Sequence, residues 1–267
     1  MSPHQATHGL PAVVPSRAEL EDVFHQKHGD PTKVGWGPRT RFNAGYFTPD
    51  EYYEALVAKL VTAGSAWLDV GGGRDVFPSN KNLATELAAR CRRLVAVDPS
   101  DTVSENPFAH ERVKAFIQDY SSAESFDVAT LRMVAEHINA PESCVAALAR
   151  LVRPGGVVVY TINKWSPVSM AAWLIPFWLH HPLKSVLWGT EEKDTFPVAY
   201  RMNTRGRLRS LFSKAGFREQ YFAYLDDCRT FHPMRLLHSL ELLLWRLLNA
   251  ADIHYPENCL LGVYTRR

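Results

Sequence analysis

The chain is poor in cysteine. Cys91, Cys144, Cys228 and Cys259 are its four thiols in 267 residues, and no two stand in C-x-x-C spacing. Such scattered thiols argue against a zinc site and a disulfide framework, and fit a reducing, cytoplasmic setting. Neither sign of charge is in excess: 30 Lys and Arg against 28 Asp and Glu give a net charge of +2. Bulk electrostatics therefore make no case for nucleic acid as a partner. Long hydrophobic runs are also missing. The longest apolar stretch, around 168–179, is broken by Pro176 and ends at His180 and His181, short of the roughly 20 residues that cross a bilayer. The first eight residues lack a basic-then-apolar pattern, so secretion is not expected.

What is present begins with a short apolar run over 66–70 that carries Asp69 near its end and leads into Gly71, Gly72 and Gly73. A run of this kind marks a buried strand whose tip bends sharply at a nucleotide site, because glycine lets the backbone take positive φ and approach a ligand closely. The dinucleotide fingerprint G-x-G-x-x-G requires a third glycine. Here the pattern from Gly71 reads G-G-G-R-D-V, and Val76 occupies that place. An acid ahead of the glycines also suits a cofactor with a positively charged amino-acid end better than a pyrophosphate. These two features favour S-adenosylmethionine over NAD.

Strands and helices alternate beyond this loop. Helix is expected over 83–92, 141–152 and 204–215, and strand over 93–97, 112–117, 126–131, 157–162 and 218–225, with a final strand at 259–264. Strands separated by helices at this spacing imply a doubly wound, mostly parallel sheet with its strand carboxyl ends along one edge. Ahead of them, a helix is expected at 17–25 and an ordered, Gly- and Pro-rich loop at 29–47. Thr48, Pro49 and Glu51 form a capping-box start for a helix reaching about 61. Four units follow: a tail and cover at 1–64, a core at 65–165, an aromatic cap insert at 166–202, and the rest of the sheet with a long apolar helix at 203–267.

Asp69, Asp98 and Asp119 fall at or near the ends of three successive strands. Asp69 would hold the methionine end beside the amides of Gly71–Gly73, Asp98 would accept both ribose hydroxyls, and Asp119 would accept the adenine amino group. One such acid alone reads as a cap or turn residue. Three in chain order on a βαβ series are much harder to obtain by accident.

Residues 65–163 resemble a class I S-adenosylmethionine-dependent methyltransferase of the broad group that acts on small molecules. The likeness rests on L-D-V-G-G-G at 68–73, V-A-V-D-P-S at 95–100, I-Q-D-Y at 117–120, F-D-V-A-T-L-R-M-V-A-E-H-I at 126–138 and L-V-R-P-G-G-V-V-V-Y at 151–160. It implies a Rossmann-like sheet of seven strands with the last antiparallel, and cofactor contacts from Pro99, Ser100, Tyr120, Arg132 and Met133 besides the acids and glycines. The polar loop at 75–82 lengthens the interval between Asp69 and Asp98, a departure that would reshape the methionine end of the pocket.

Aligning an acceptor with the methyl–sulfur bond is the main task of such an enzyme, and a base is useful for a hydroxyl acceptor. His137 is the candidate base, with a structural or cofactor-side role as its alternative. Tyr160, Asn163 and Trp165 leave the fifth strand where acceptor contacts are expected, and His180 is a further candidate in the insert. Loop packing is the ordinary reading of each. Asp226 and Asp227 read as turn chemistry. Arg39 and Arg41 are open to two readings, a carboxylate clamp or a solvated surface. The expected acceptor is a small, partly hydrophobic molecule, given the two Trp and the Phe of the insert. Leu236, Leu237, Leu240, Leu244, Leu247 and Leu248 recur at helical spacing. That helix is expected to pack on the sheet and the insert, with a homodimer or a membrane surface as alternatives. A lipid or quinone headgroup acceptor, and a binding module without turnover, are the rival functions.

Overall fold

A computed structural model of the protein describes residues 13–152, 154–167, 170, 198–253, 255 and 257–266. The candidate His180 and most of the aromatic insert lie outside the described residues.

Seven strands form one sheet in the order β3-β2-β1-β4-β5-β7-β6. They are β1 (Ala66–Val70), β2 (Arg93–Asp98), β3 (Glu111–Lys114), β4 (Val128–Arg132), β5 (Gly155–Ile162), β6 (Arg218–Asp226) and β7 (Glu257–Arg266). Strands β1 to β5 pair in parallel, while β7 runs antiparallel to both β5 and β6. This is the doubly wound, seven-stranded sheet expected above. The third strand is shorter than expected, ending at Lys114, because residues 117–119 form a turn.

Alternation along each strand builds two cores. Leu68, Val95, Val97, Val157 and Val159 join one, under α5 (Pro141–Leu151) and α6 (Arg205–Lys214). Trp67, Leu94, Ala96, Val158 and Tyr160 join the other, under α3 (Pro49–Leu60) and α4 (Lys81–Arg90). Burial on both faces is why these strands read as continuous apolar runs rather than alternating ones. The loop before α4 is less polar than its composition suggested, since Val76 and Phe77 are buried.

The cover over the site is helical. Helix α1 (Arg17–His28) starts at a capping box of Ser16 and Glu19, and α3 starts at the one expected from Thr48 and Glu51. The segment expected as loop contains α2 (Trp36–Ala44), which Gly45 ends in the left-handed conformation at φ 73°. That helix buries no residue, so it carries no hydrophobic period to betray it.

Helix α7 (Arg235–Ala250) corrects a second expectation. It does not lay its leucines on the sheet. Its buried residues are His238, Glu241 and Leu242, whereas Leu236, Leu240, Leu243, Leu244 and Leu247 are each more than half exposed. The inward face is held by polar bonds: Glu241 accepts from Tyr255 at 3.1 Å, and Trp245 donates to Asp226 at 3.0 Å.

Candidate active site

The carboxyl edge of the sheet divides at the β1–β4 boundary, where strand order reverses and open α/β sheets bind ligands. On one side lie the ends of β1, β2 and β3. Asp69 is 3% exposed, and its Oδ1 accepts from Thr130 Oγ1 at 2.8 Å. Thr130 is fixed in turn by Trp67 Nε1 at 2.8 Å. Burial pushes the Asp69 carboxyl up to about 7; the neighbouring Asp98 adds to this, while Thr130 and Arg132 oppose it.

The glycines are required at their positions. Gly71 has φ 72°, and a Cβ there would lie 2.2 Å from Val134 Cγ2. A Cβ on Gly72 would lie 2.9 Å from both Ala96 Cβ and Asp69 Oδ2. Gly71 and Gly72 are thereby packed hard against the fold, whereas a Cβ on Gly73 would meet nothing nearer than Asp98 Oδ2 and Thr102 Oγ1 at 3.9 Å, so the open cradle of the loop lies at Gly73. Gly73 N–H donates to Asp98 Oδ2 at 3.1 Å, and Ser100 N–H donates to Oδ1 at 2.7 Å. Asp98 is thus held in one orientation, and each oxygen retains a lone pair for a further donor. Pro99 continues into Ser100, which caps the short 3-10 helix Asp101–Glu105. Asn106, which sequence reasoning missed, pins the loop by donating to Gly72 O at 3.0 Å. Asp119 is exposed in the turn after β3, close in the chain to the exposed ring of Phe116. Tyr120 is buried in the core and packs against Phe126.

This donor set fits S-adenosylmethionine: a buried acid for an ammonium, amides and missing side chains for the amino-acid end, and an oriented carboxylate for a diol.

On the other side, the ends of β4, β5 and β6 and the start of β7 face α1, α2 and α3 across a cavity of about 670 Å³. Met133, Ile162, Ser166, Arg229, Thr230, Asn258 and Cys259 line the sheet side. Lys27, His28, Arg41, Thr48 and Glu51 line the cover side. Met133 takes φ 52°, an unfavourable conformation for a long side chain that clusters at ligand sites.

The candidates from β5 fall in different places. Tyr160 is buried and stacked on Tyr53, with ring centroids 5.3 Å apart. Asn163 closes its loop by donating to Glu257 O at 2.9 Å and accepting from Trp165 N–H at 3.1 Å. Trp165 is 64% exposed. His137 ends the 3-10 turn Ala135–His137 and is half-buried. Beside it, Glu136 is buried and accepts from Thr161 at 2.8 Å.

A network unread in the sequence ties cover to sheet. Asp50 accepts from Arg132 at 2.7 Å through one oxygen and from Arg229 at 2.8 Å through the other. Burial alone would raise the Asp50 carboxyl, but Arg132 and Arg229 outweigh it and hold it well below the usual carboxylate range. Arg229 also takes both oxygens of Asp227. The two acids at the end of β6 are therefore not simple turn residues: Asp227 holds Arg229, and Asp226, the last residue of the strand, holds Trp245. No local signal could have revealed this, because Asp50 and Arg229 are 179 residues apart. Among the described residues no cluster of side chains is arranged to hold a metal ion.

Comparison with known proteins identifies the family. A family model described as "Methyltransferase domain" matches residues 46–220. A methyltransferase of uncharacterized role from Mycolicibacterium vanbaalenii is 30% identical over 145 residues, which is 47% of this chain and 55% of the relative. A ubiquinone biosynthesis O-methyltransferase from Thiobacillus denitrificans is 30% identical over 142 residues, 48% of this chain and 58% of the relative. The chain thus spans little more than half the length of these two relatives. Among solved structures, the N-methyltransferase NodS of Bradyrhizobium japonicum is similar at 13% identity and a TM-score of 0.46, covering 82% of this chain and 96% of NodS. With the family model covering well over half of it, the chain belongs to the methyltransferase-domain family.

Proposed function

We propose that this chain transfers a methyl group from S-adenosylmethionine, the cofactor of its family, to oxygen, nitrogen or carbon of a small, partly hydrophobic acceptor, in biosynthesis or tailoring. The observation that carries the reading is one sheet edge that gathers Asp69, the open backbone at Gly73 and Asp98 on one side and a 670 Å³ cavity on the other. Its volume is ordinary for a small-molecule site.

The cofactor supplies, when bound, a methyl group already activated on a sulfonium. The chain's own residues then have three tasks. Asp69 holds the ammonium, Asp98 and Asp119 hold the nucleoside, and the cavity walls orient the acceptor, which is where most of the rate advantage arises. For a hydroxyl acceptor, His137 is the proposed base. The name of the Thiobacillus relative, an O-methyltransferase, supports a hydroxyl acceptor.

Incubation with labelled-methyl cofactor and fractionated metabolite extract tests the reading. A labelled small molecule that disappears in an Asp98→Ala variant is expected. Cofactor binding without any labelled product would leave only a binding module.

One observation favours a second reading, methylation of a lipid or quinone headgroup at a membrane surface. The exposed leucine face of α7 adjoins the loop 229–234, which lines the cavity and also exposes Phe231 and Met234. No helix among the described residues is long and apolar enough to cross a membrane, so contact would be from one side. Co-flotation with anionic liposomes is the discriminating result, and a concentration-dependent dimer without flotation would replace it.

A further inference from the structure

Among the described residues, Lys27 and Arg229 on the cavity wall are each engaged by a carboxylate at hydrogen-bond distance, and Arg41 is not. Lys27 donates to Glu54 at 2.9 Å, and Arg229 donates to Asp227 and Asp50. Arg41 is the exception. Its side chain is only 12% exposed, yet the nearest carboxylate oxygen, on Glu51, is 3.9 Å away. Its hydrogen-bond contact is His28 Nε2 at 3.5 Å.

That contact weakens on inspection of the proton. His28 Nε2 also lies 3.1 Å from Glu51 Oε1, and a carboxylate can only accept. The ring nitrogen must then carry a hydrogen to Glu51, and it has no lone pair left for the guanidinium. Glu51's other oxygen is occupied by the Thr48 N–H at 2.7 Å. A largely buried guanidinium is thus left on a cavity wall with its planar fork unfilled. Glu51 balances its charge from 3.9 Å without accepting a hydrogen bond from it, and the fork matches an oxyanion in bidentate fashion. His28 and His232 add polar groups to the same wall.

We infer that Arg41, flanked by His28, seats an anionic group of the acceptor, a carboxylate or a phosphate monoester, so that the molecules methylated here are acids. The inference rests on the cavity being the acceptor site proposed above. It gives the cover helices a second task beyond closing the site: α2 supplies the charge that selects the acceptor, and α1 and α3 orient it through His28 and Glu51.

Ligand-observed NMR with benzoate, phenyl phosphate and benzamide, with and without S-adenosylhomocysteine, tests it. At least one anion should bind tenfold or more tightly than benzamide, and which one does so separates carboxylate from phosphate. Arg41→Gln should remove that preference while leaving S-adenosylhomocysteine affinity within twofold. Arg41→Lys, which keeps the charge without the fork, should retain part of it and guards against a folding defect. Equal binding of benzamide and the anions, no binding of any probe, or an unchanged preference in Arg41→Gln overturns the inference. Loss of S-adenosylhomocysteine binding by the unaltered protein would instead overturn the methyltransferase reading.

Discussion

If Asp69 holds the cofactor's ammonium as proposed, cofactor binding depends on pH in a direction set by its burial. The cofactor's ammonium needs a carboxylate, but burial pushes the carboxyl up to about 7 in the free protein. Binding must then expel a proton wherever Asp69 is protonated. The apparent affinity is divided by a factor of 1 plus ten to the power of the pKa minus the pH. With a pKa near 7 this is about 2 at pH 7, about 11 at pH 6 and about 100 at pH 5. Affinity should therefore weaken about fivefold from pH 7 to pH 6 and about fiftyfold to pH 5, the latter equivalent to about 2.3 kcal/mol. The ligand's own α-amino group titrates near 8 and stays protonated across this window. Calorimetry at pH 6 in two buffers of different ionisation enthalpy should register release of about 0.9 proton per cofactor bound. An affinity that is flat between pH 5 and pH 7, or no proton release, would refute the reasoning.

The same shift has a consequence for stability, with the opposite sign from an ordinary carboxylate. A raised folded pKa means the group favours the folded state below its unfolded value near 3.8, and that contribution is lost as pH rises through about 7. Ionised Asp69 thus destabilises the free protein above neutrality, by at most about 4 kcal/mol. Asp69→Asn keeps an acceptor for Thr130 and removes the charge. It should melt higher than the unaltered protein at pH 8, bind cofactor weakly, and lose the pH slope. A variant that binds weakly but keeps the slope would place the titrating group elsewhere.

Four further outcomes are expected. Gly71→Ala puts a methyl 2.2 Å from Val134 at a positive φ, so strain of about 1–3 kcal/mol is expected by chemical denaturation, with cofactor affinity falling at least tenfold. Asp50→Ala leaves Arg132 and Arg229 without their shared acceptor; it should cost about 3 kcal/mol of stability, and an unchanged urea midpoint would contradict the network. His137→Gln should lower kcat with a hydroxyl acceptor about a hundredfold while leaving cofactor affinity intact, whereas full turnover removes His137 as base. On the membrane-surface reading, Leu240→Glu with Leu244→Glu should abolish liposome flotation without lowering the melting temperature, because both side chains are already half exposed.

What was legible in the chain follows from how local each signal is. The strands carrying Asp69 and Asp98 are buried on both faces, so their apolar runs are continuous and their ends are marked by acid and glycine within a few residues. The start of α3 was readable because a capping box is closed over four residues, Thr48 to Glu51. Helix α2 was not, since none of its residues is fully buried and its Gly37 and Pro38 resemble loop. Helix α7 was legible as a helix but not in its orientation. Leucine spacing reports that one face is apolar, and only the polar anchors Glu241 and Trp245 decide which face turns inward. The cavity was illegible for a third reason. Its pairs, His28 with Glu51 and Asp50 with Arg132 and Arg229, join segments that only the fold brings together.

The family match and the cavity overlap only in part, since Thr48, Glu51, Ser79, Met133, Ile162 and Ser166 lie within both. The match spans 46–220 and so contains the cradle, from Asp69 through Asp98 and Asp119 to Met133. Lys27, His28, Arg41, Arg229, His232, Asn258 and Cys259 lie outside it, and all line the cavity. Strand ends that the sheet itself positions form the cradle, whereas much of the cavity wall comes from α1, α2 and the loop 229–234, outside the match. Asp50 couples the two. It sits on α3 of the cover, yet its two oxygens hold the end of β4, beside the cradle, and the loop after β6, beside the cavity. A change of acceptor would therefore be engineered through α1, α2 and the loop 229–234, with Asp50, Arg132 and Arg229 left in place to keep those segments against the sheet.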